Sequence, residues 1–292
     1  MSASLINGWI DTNMSHSLPL IVIPIFNAYD HLGLCLAALQ RNVPEDAEIV
    51  LIDDASTDIR ILPMLKAWQK NAGLRCQILQ NEQNQGFVAT ANMGMALADD
   101  DVVLLNSDTE VTTGWLQRLS NCLNSDHNIA TATPWSNNGE IVSIPTFCQA
   151  NPPPPDPQAV ALTIARCGVP GYPSMPTAVG FCMAISQRAL QIVGGFDEAT
   201  FGRGYGEEND FCQRAEKAGL KNVLCDDAYV IHHGGASFSP LGLKPDEHSM
   251  QRLLNKHPDY QEKVSEFIQQ DPFKARRQEI LDDLKRALVV MR

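Results

Sequence analysis

Short unbroken apolar runs alternate along the first half of the chain with stretches whose apolar residues return every three or four positions. Leu20-Ile21-Val22-Ile23, Glu48-Ile49-Val50-Leu51-Ile52, Cys76-Gln77-Ile78-Leu79, Val102-Val103-Leu104-Leu105 and Ile129-Ala130-Thr131-Ala132 have strand length. Because they are continuous rather than alternating, they predict strands covered on both faces. Between them, Tyr29 to Gln40, Ile61 to Trp68 and Phe87 to Leu97 carry helical spacing. This rhythm predicts a doubly wound α/β domain with a mostly parallel central sheet flanked by helices. The texture changes at Asn151-Pro152-Pro153-Pro154-Pro155-Asp156-Pro157, which can continue neither a helix nor a central strand and predicts a stiff surface loop. A second set of elements follows, with a strand over Ala178 to Ser186, a short helix over Arg188 to Val193, a helix over Asp210 to Ala218, and short strands at Val223 and Tyr229-Val230-Ile231. From Pro245 onward the pattern is that of successive amphipathic helices. The expected organisation is one domain over 1–244, with halves of about 18–133 and 134–244, and a helical extension over 245–292.

Composition narrows the partners. The 292 residues are 44% hydrophobic and 19% charged, ordinary for a soluble globular chain, and carry a formal net charge of −12. That charge opposes broad attraction to phosphate backbones or anionic lipid, so nucleic acid is not an expected partner. Eight cysteines stand singly with no C-x-x-C pair, which fits reduced thiols better than a zinc knuckle or disulfide scaffold. Met1 to Ser17 lacks a basic region followed by an apolar one, and no 18-residue apolar stretch occurs. A cytoplasmic protein is expected, with at most a peripheral contact at the inner face of the membrane. Lys274, Arg276, Arg277, Lys285 and Arg286 offer a candidate for that contact, diluted by Asp282 and Asp283. The C-terminal helices are expected to pack on the preceding domain or to form a homodimer contact.

Polar clusters at strand ends carry the candidate chemistry, since ligands of open α/β sheets bind beyond the carboxyl ends of the strands. Asn106-Ser107-Asp108 places a metal-competent carboxylate after a buried strand. Asp108 or Thr109 could equally cap a helix running through Trp115 and Leu116. Asp53-Asp54-Ala55-Ser56-Thr57-Asp58 follows the second strand; Ser56 to Asp58 read as a helix cap, whereas Asp53 can turn its oxygens toward a nucleoside base. Asn84-Gln85-Gly86-Phe87, with Asn92, supplies a glycine able to adopt positive φ, and Asn92 could simply fix that loop. Gly202-Arg203-Gly204-Tyr205-Gly206-Glu207-Glu208-Asn209-Asp210 predicts a mobile loop delivering one carboxylate as a base, beside acids that complement a helix dipole and an Asp210–Arg214 pair. His232, after an edge strand, is either a surface residue or a divalent-metal ligand.

These clusters, taken in order, resemble the nucleotide-sugar glycosyltransferases of family 2, which have the GT-A fold and invert configuration. The resemblance spans about Leu20 to Phe238 and rests on Ile23-Pro24-Ile25-Phe26-Asn27, Asp53 with Ser56-Thr57-Asp58, Asn84-x-Gly86-Phe87 with Asn92, and Leu104-Leu105-Asn106-Ser107-Asp108-Thr109. Gly194-Gly195-Phe196-Asp197-Glu198, Glu207-Glu208-Asn209-Asp210 with Arg214, and His232 complete it. It implies a GT-A catalytic domain that moves a sugar from a nucleoside-diphosphate sugar, UDP or dTDP being favoured, to a glycan or lipid-linked acceptor in polysaccharide assembly. By this resemblance Glu208 is the base, with Glu207 beside it as the alternative. Pro24, Phe26, Asn27, Asp53, Asn84, Gly86, Asn92, Asn106, Ser107 and Asp108 would bind donor. Trp135, Gly180, Tyr205 and Asp210 would face acceptor, and Asp108 with His232 would hold Mn2+ or Mg2+. Asn106 departs from the family's Asp-x-Asp motif; it can hydrogen-bond ribose or a metal-bound water but carries no charge. That departure leaves open a non-catalytic relative that binds nucleotide sugar or glycan as a subunit of a complex.

Overall fold

The computed structural model describes residues 17–234 and 247–290. The expectations for Met1 to His16, for the 244/245 boundary and for the side chains of Leu288 and Val289 fall outside that description. The described strands are β1 (Leu20–Ile25), β2 (Glu48–Asp53), β3 (Arg75–Gln80), β4 (Val102–Leu105), β5 (Thr109–Val111), β6 (Ile129–Trp135), β7 (Ser174–Met175), β8 (Cys182–Ile185) and β9 (Lys221–His232). The helices are α1 (Tyr29–Asn42), α2 (Ile61–Asn71), α3 (Phe87–Met95), α4 (Trp115–Ser125), α5 (Pro157–Arg166), α6 (Gln187–Val193), α7 (Glu198–Phe201), α8 (Glu207–Lys217), α9 (Glu247–Lys256), α10 (Tyr260–Gln270) and α11 (Lys274–Val290). The sheet runs β3-β2-β1-β4-β8-β6-β9-β5, with β7 on β9. β1 to β4 pair in parallel, β8 lies antiparallel between β4 and β6, and β9 runs parallel to β6.

The runs of β4 and β6 are buried throughout, as their composition requires, whereas β3, expected to be covered on both faces, is the edge of the sheet and none of its residues is fully buried. Three elements differ from expectation. The strand expected over Ala178 to Ser186 shortens to β8. The two short strands at Val223 and Tyr229 to Ile231 are one twelve-residue strand, β9. The polar interruption Asp226-Asp227 conceals its continuity, because these acids are buried and partnered. Asp226 accepts from the Gly171 and Tyr172 N–H groups and pairs with Arg276 on α11, and Asp227 pairs with Arg118. Here β9 bulges: Pro134 faces Cys225 whereas the next residue, Trp135, faces Tyr229. The third difference is α5, which follows the proline run directly, with Asp156 capping the Ala159 N–H at 2.9 Å and Pro157 at the first helical position.

The C-terminal helices pack on the preceding domain, α9 against α7 and α8 and α11 against α5. Of their basic residues, Arg276 pairs with Asp226 and Arg277 with Asp271 within the fold, whereas Lys285 and Arg286 are exposed and pair along α11 with Asp282 and Asp283. Among the described residues no helix is long and apolar enough to cross a membrane.

Candidate active site

Strand pairing brings Asp108 and His232 together from positions 124 residues apart in the chain. After β4 the chain turns through Asn106, whose N–H donates to the Phe181 carbonyl at 2.9 Å, and at Thr109 enters β5. β5 pairs with the end of β9 so that Thr109 lies opposite His232, and the His233 N–H donates to the Asp108 carbonyl at 3.0 Å. Asp108 and Thr109 therefore cap no helix; α4 begins six residues beyond Thr109, after Gly114. The His232 Nε2 lies 3.6 Å from Asp108 Oδ1. Its Nδ1 is 2.6 Å from the Asn138 carbonyl, and Asn137 grips the His232 backbone at both N–H and C=O. A carbonyl only accepts, so the Nδ1 carries a proton and Nε2 is the ring nitrogen turned toward the carboxylate. The Phe181 ring stacks on the imidazole at 5.2 Å.

An imidazole Nε2 beside a carboxylate, with the other ring nitrogen fixed by a backbone carbonyl, is a donor set that fits a divalent cation. The 3.6 Å separation is less than twice an ordinary metal–oxygen bond of ~2.1 Å. Among the described residues no group of three His, Cys, Asp or Glu side chains converges on one point, so the remaining ligands would come from substrate and water.

The opposing pole is the start of α8. Gly206, at φ 104°, precedes the helix, and a Cβ there would come within 2.8 Å of the Phe201 ring, so a glycine is required. Glu207 and Glu208 thus belong to the first helical turn and not to a mobile loop. Burial pushes the Glu208 carboxyl up to about 7 against the opposing pull of backbone N–H groups, and the negative charge of Glu140 adds to the rise. Burial, with the Glu208 charge, raises Glu207 well above the carboxylate range. Glu207 Oε2 is buried without a hydrogen-bond partner. Asn209 is held by the Thr177 hydroxyl at 2.7 Å and the Tyr260 hydroxyl at 2.8 Å.

Both poles line one cavity of about 590 Å³. Pro24, Phe26, Asn84, Gly86, Asn106, Ser107, Asp108, Gly180, Tyr205, Glu207, Glu208 and His232 are all in its wall. Five residues expected there are not. Asp53 is 1% exposed and its Oδ1 accepts from the Ser56 N–H at 3.0 Å; its neighbour Asp54 lines the cavity instead, fixing the N–H groups of Gln85 and Gly86 at 2.8 Å. Asn27 caps the Thr57 and Asp58 N–H groups. Ser56 to Asp58 do not cap α2; the Ser56 hydroxyl instead accepts from the Asn27 N–H. Asn92 clamps the Phe196 backbone through both its amide atoms. Trp135 is fully buried, its indole N–H donating to the Asp226 carbonyl, because the end of β6 lies in the core. Asp210 is wholly buried and bonded to Arg214, Lys256 and His257 at 2.7–2.8 Å. Burial works to raise its pKa, but those cationic and imidazole donors outweigh burial and hold it below the usual range.

Sequence reasoning missed four contributors to the wall. Asp54 was overshadowed by Asp53. Glu140 sits in a loop without pattern. Arg203 packs its backbone against Gly86, where a Cβ would be 3.0 Å away. The helices α9 and α10 contribute Leu253, Tyr260, Val264 and Ile268. Among the described residues the wall carries five carboxylates, Asp54, Asp108, Glu140, Glu207 and Glu208, against one guanidinium, Arg203.

A mostly parallel sheet with β8 antiparallel inside it and β5 and β7 antiparallel on β9, and with this cleft at the ends of β1 and β4, is the architecture of the GT-A glycosyltransferases. Solved structures agree on the fold. GalNAc-T7 with UDP, GalNAc and Mn2+ aligns over 92% of this chain and 58% of its own, at 18% identity and TM-score 0.59. S. aureus TarS with UDP-GlcNAc aligns over 87% and 72%, at 15% identity and TM-score 0.57. The mannosyltransferase PcManGT from Pyrobaculum calidifontis, with GDP-Man and Mn2+, aligns over 94% and 76%, at 12% identity and TM-score 0.54. The chain belongs to glycosyl transferase family 2, whose family model matches residues 20–192. Among curated relatives, a putative polypeptide N-acetylgalactosaminyltransferase 13 of Drosophila melanogaster is 32% identical over 137 residues, 44% of this chain and 24% of that protein. An uncharacterized protein of Mycobacterium bovis is 24% identical over 221 residues, 74% of each chain. The chain thus spans about a quarter of the Drosophila relative.

Proposed function

We propose that this protein is an inverting glycosyltransferase that moves a sugar from a nucleoside-diphosphate sugar to a hydroxyl of a glycan or lipid-linked acceptor in polysaccharide assembly. The observation that carries the reading is the placement of Asp108 and His232 on the same cavity as the Glu208 carboxylate. Pro24, Phe26 and Asn84 wall the donor end, where the Asn84 Oδ1 is buried without a hydrogen-bond partner and suits a nucleobase N–H. Uracil and thymine each offer such a donor. The excess of carboxylates over cations in the wall opposes a bare diphosphate, so a divalent ion, Mn2+ or Mg2+, held by Asp108 and His232 completes the site. When bound, that ion offsets charge on the departing nucleoside diphosphate; the Mn2+ in the GalNAc-T7 and PcManGT structures supports this reading.

Glu208 removes the proton of the acceptor hydroxyl as that oxygen bonds to the anomeric carbon. The bond from that carbon to the diphosphate breaks on the opposite face, and the electron pair leaves with the nucleotide. Asn106 binds by hydrogen bonding alone, and His232 is kept in its working tautomer by Asn138. Eight cysteines outside any disulfide suit a reducing compartment, which supports a cytoplasmic reaction.

A thermal-shift screen of nucleotide sugars with and without Mn2+ selects the donor, and nucleoside-diphosphate release is then measured. Glu208→Gln is expected to lower the rate by ~10²–10⁴ while the donor-induced shift persists. Donor binding without Glu208-dependent release against any glycan would instead establish the non-catalytic relative that Asn106 leaves open.

A further inference from the structure

Glu140 has no place in the chemistry derived so far, yet the backbone presents it to the cavity. It opens a single 3-10 turn, Glu140–Val142, and its carbonyl accepts from the N–H groups of Ser143 at 3.0 Å and Cys148 at 3.2 Å. Held in this way, Glu140 has a φ of 49°, a left-handed conformation that a β-carbon disfavours. Such conformations persist where the surrounding structure over-determines them, commonly at ligand sites. The Glu140 side chain is exposed, its carboxylate has no hydrogen-bond or ion-pair partner among the described residues, and its charge bears on Glu208. Glu207, next to Glu208 in the chain, lines the same cavity and is only 4% exposed, and its Oε2 is buried and has no partner. A buried polar atom left unpaired is costly, so this one points to a group that arrives with substrate.

We infer that Glu140 and Glu207 form an acceptor-binding clamp around the base, each taking a hydroxyl that neighbours the one attacked, so that the preferred acceptor is an uncharged polyhydroxylated sugar. This inference rests on the glycosyltransferase reading of the site. The charge balance carries the selectivity. Three carboxylates meet at this end of the cavity, whereas Arg203, the wall's sole guanidinium among the described residues, packs against Gly86 on the donor side. A sugar hydroxyl can donate to each carboxyl group. A uronate or phosphate would instead be repelled by the Glu140 carboxylate beside the base. Glu140 is thereby a specificity-determining residue.

The test compares wild-type and Glu140→Gln protein at saturating donor, with neutral methyl hexosides and the corresponding methyl hexuronides as acceptor probes. The expected result is transfer to a neutral hexoside in preference to its uronide. In Glu140→Gln the acceptor KM should rise by about tenfold or more, kcat should change far less, and donor KM should hold. A role confined to the fold would lower kcat or the melting temperature without splitting the two constants. Preference for the uronide, an unchanged acceptor KM, or failure of every neutral hexoside overturns the inference. Glu208→Gln, run in parallel with water as acceptor, separates this from failure of the functional reading: undiminished donor hydrolysis there removes the base itself.

Discussion

In the proposed reaction Glu208 serves as the base, a role suited to a carboxyl near neutrality. With the group pushed up to about 7, it is protonated and unable to accept at lower pH, and becomes competent as pH rises through 7. The rate of transfer should therefore climb about tenfold per pH unit below 7 and level off above it. A pH profile of kcat/KM that stays flat between pH 5 and 7 would assign the base elsewhere. At this scale the sequence was informative about residue types and poor about directions. Asp108, Glu208 and His232 were legible because each stands at an element end where chemistry-bearing groups gather. Asp53 and Asp54 are adjacent acids, and which of them faces the cavity depends on the side to which a strand-end residue turns. Register alone settles that, and it cannot be read from one segment. Trp135 and Asp210 failed for a different reason. Both are polar-tipped groups whose partners, the Asp226 carbonyl and the Lys256–His257 pair, lie far away in the chain.

Elements were more legible than their boundaries. The five apolar runs became β1, β2, β3, β4 and β6; four are well-buried inner strands, whereas β3 forms the half-buried edge of the sheet. The helix of the base was expected from Asp210 and begins at Glu207, because acids in a first turn read equally as loop. α3 lies so close to β1 that a Cβ on Gly94 would stand 2.1 Å from a Val22 methyl. Gly94→Ala should therefore destabilise the protein by about 1–3 kcal/mol, the scale of overpacking a filled core. A lowered urea midpoint with an unchanged m-value would confirm it, and an unaltered midpoint would show that the helix can move away. Such close approach of a helix to a strand leaves no mark on hydrophobic periodicity.

In the molecule as a whole, the C-terminal helices are part of the cavity and not an appendage. Asp210 binds Arg214 within α8, Lys256 at the end of α9 and His257 beyond it, while Tyr260 of α10 holds Asn209 beside the base. Asp210→Ala would strand two cations and an imidazole. Because Lys256 and Arg214 are partly exposed and can recover water, we expect a loss of about 2–3 kcal/mol, less than for a fully sealed pair. Equilibrium unfolding measures it, and a change below ~0.5 kcal/mol would mean that the network contributes little. The amphipathic pattern after Pro245 revealed helices but not their docking, since the groups that anchor them are charged. The bulge in β9 reaches furthest. A strand turns alternate side chains to opposite faces, so the count of residues between Cys225 and His232 decides whether the imidazole meets Asp108 or looks away. Gaining or losing a single codon in that interval would invert the histidine, so descendants of this chain can lengthen or shorten it only by even steps unless a second bulge restores parity.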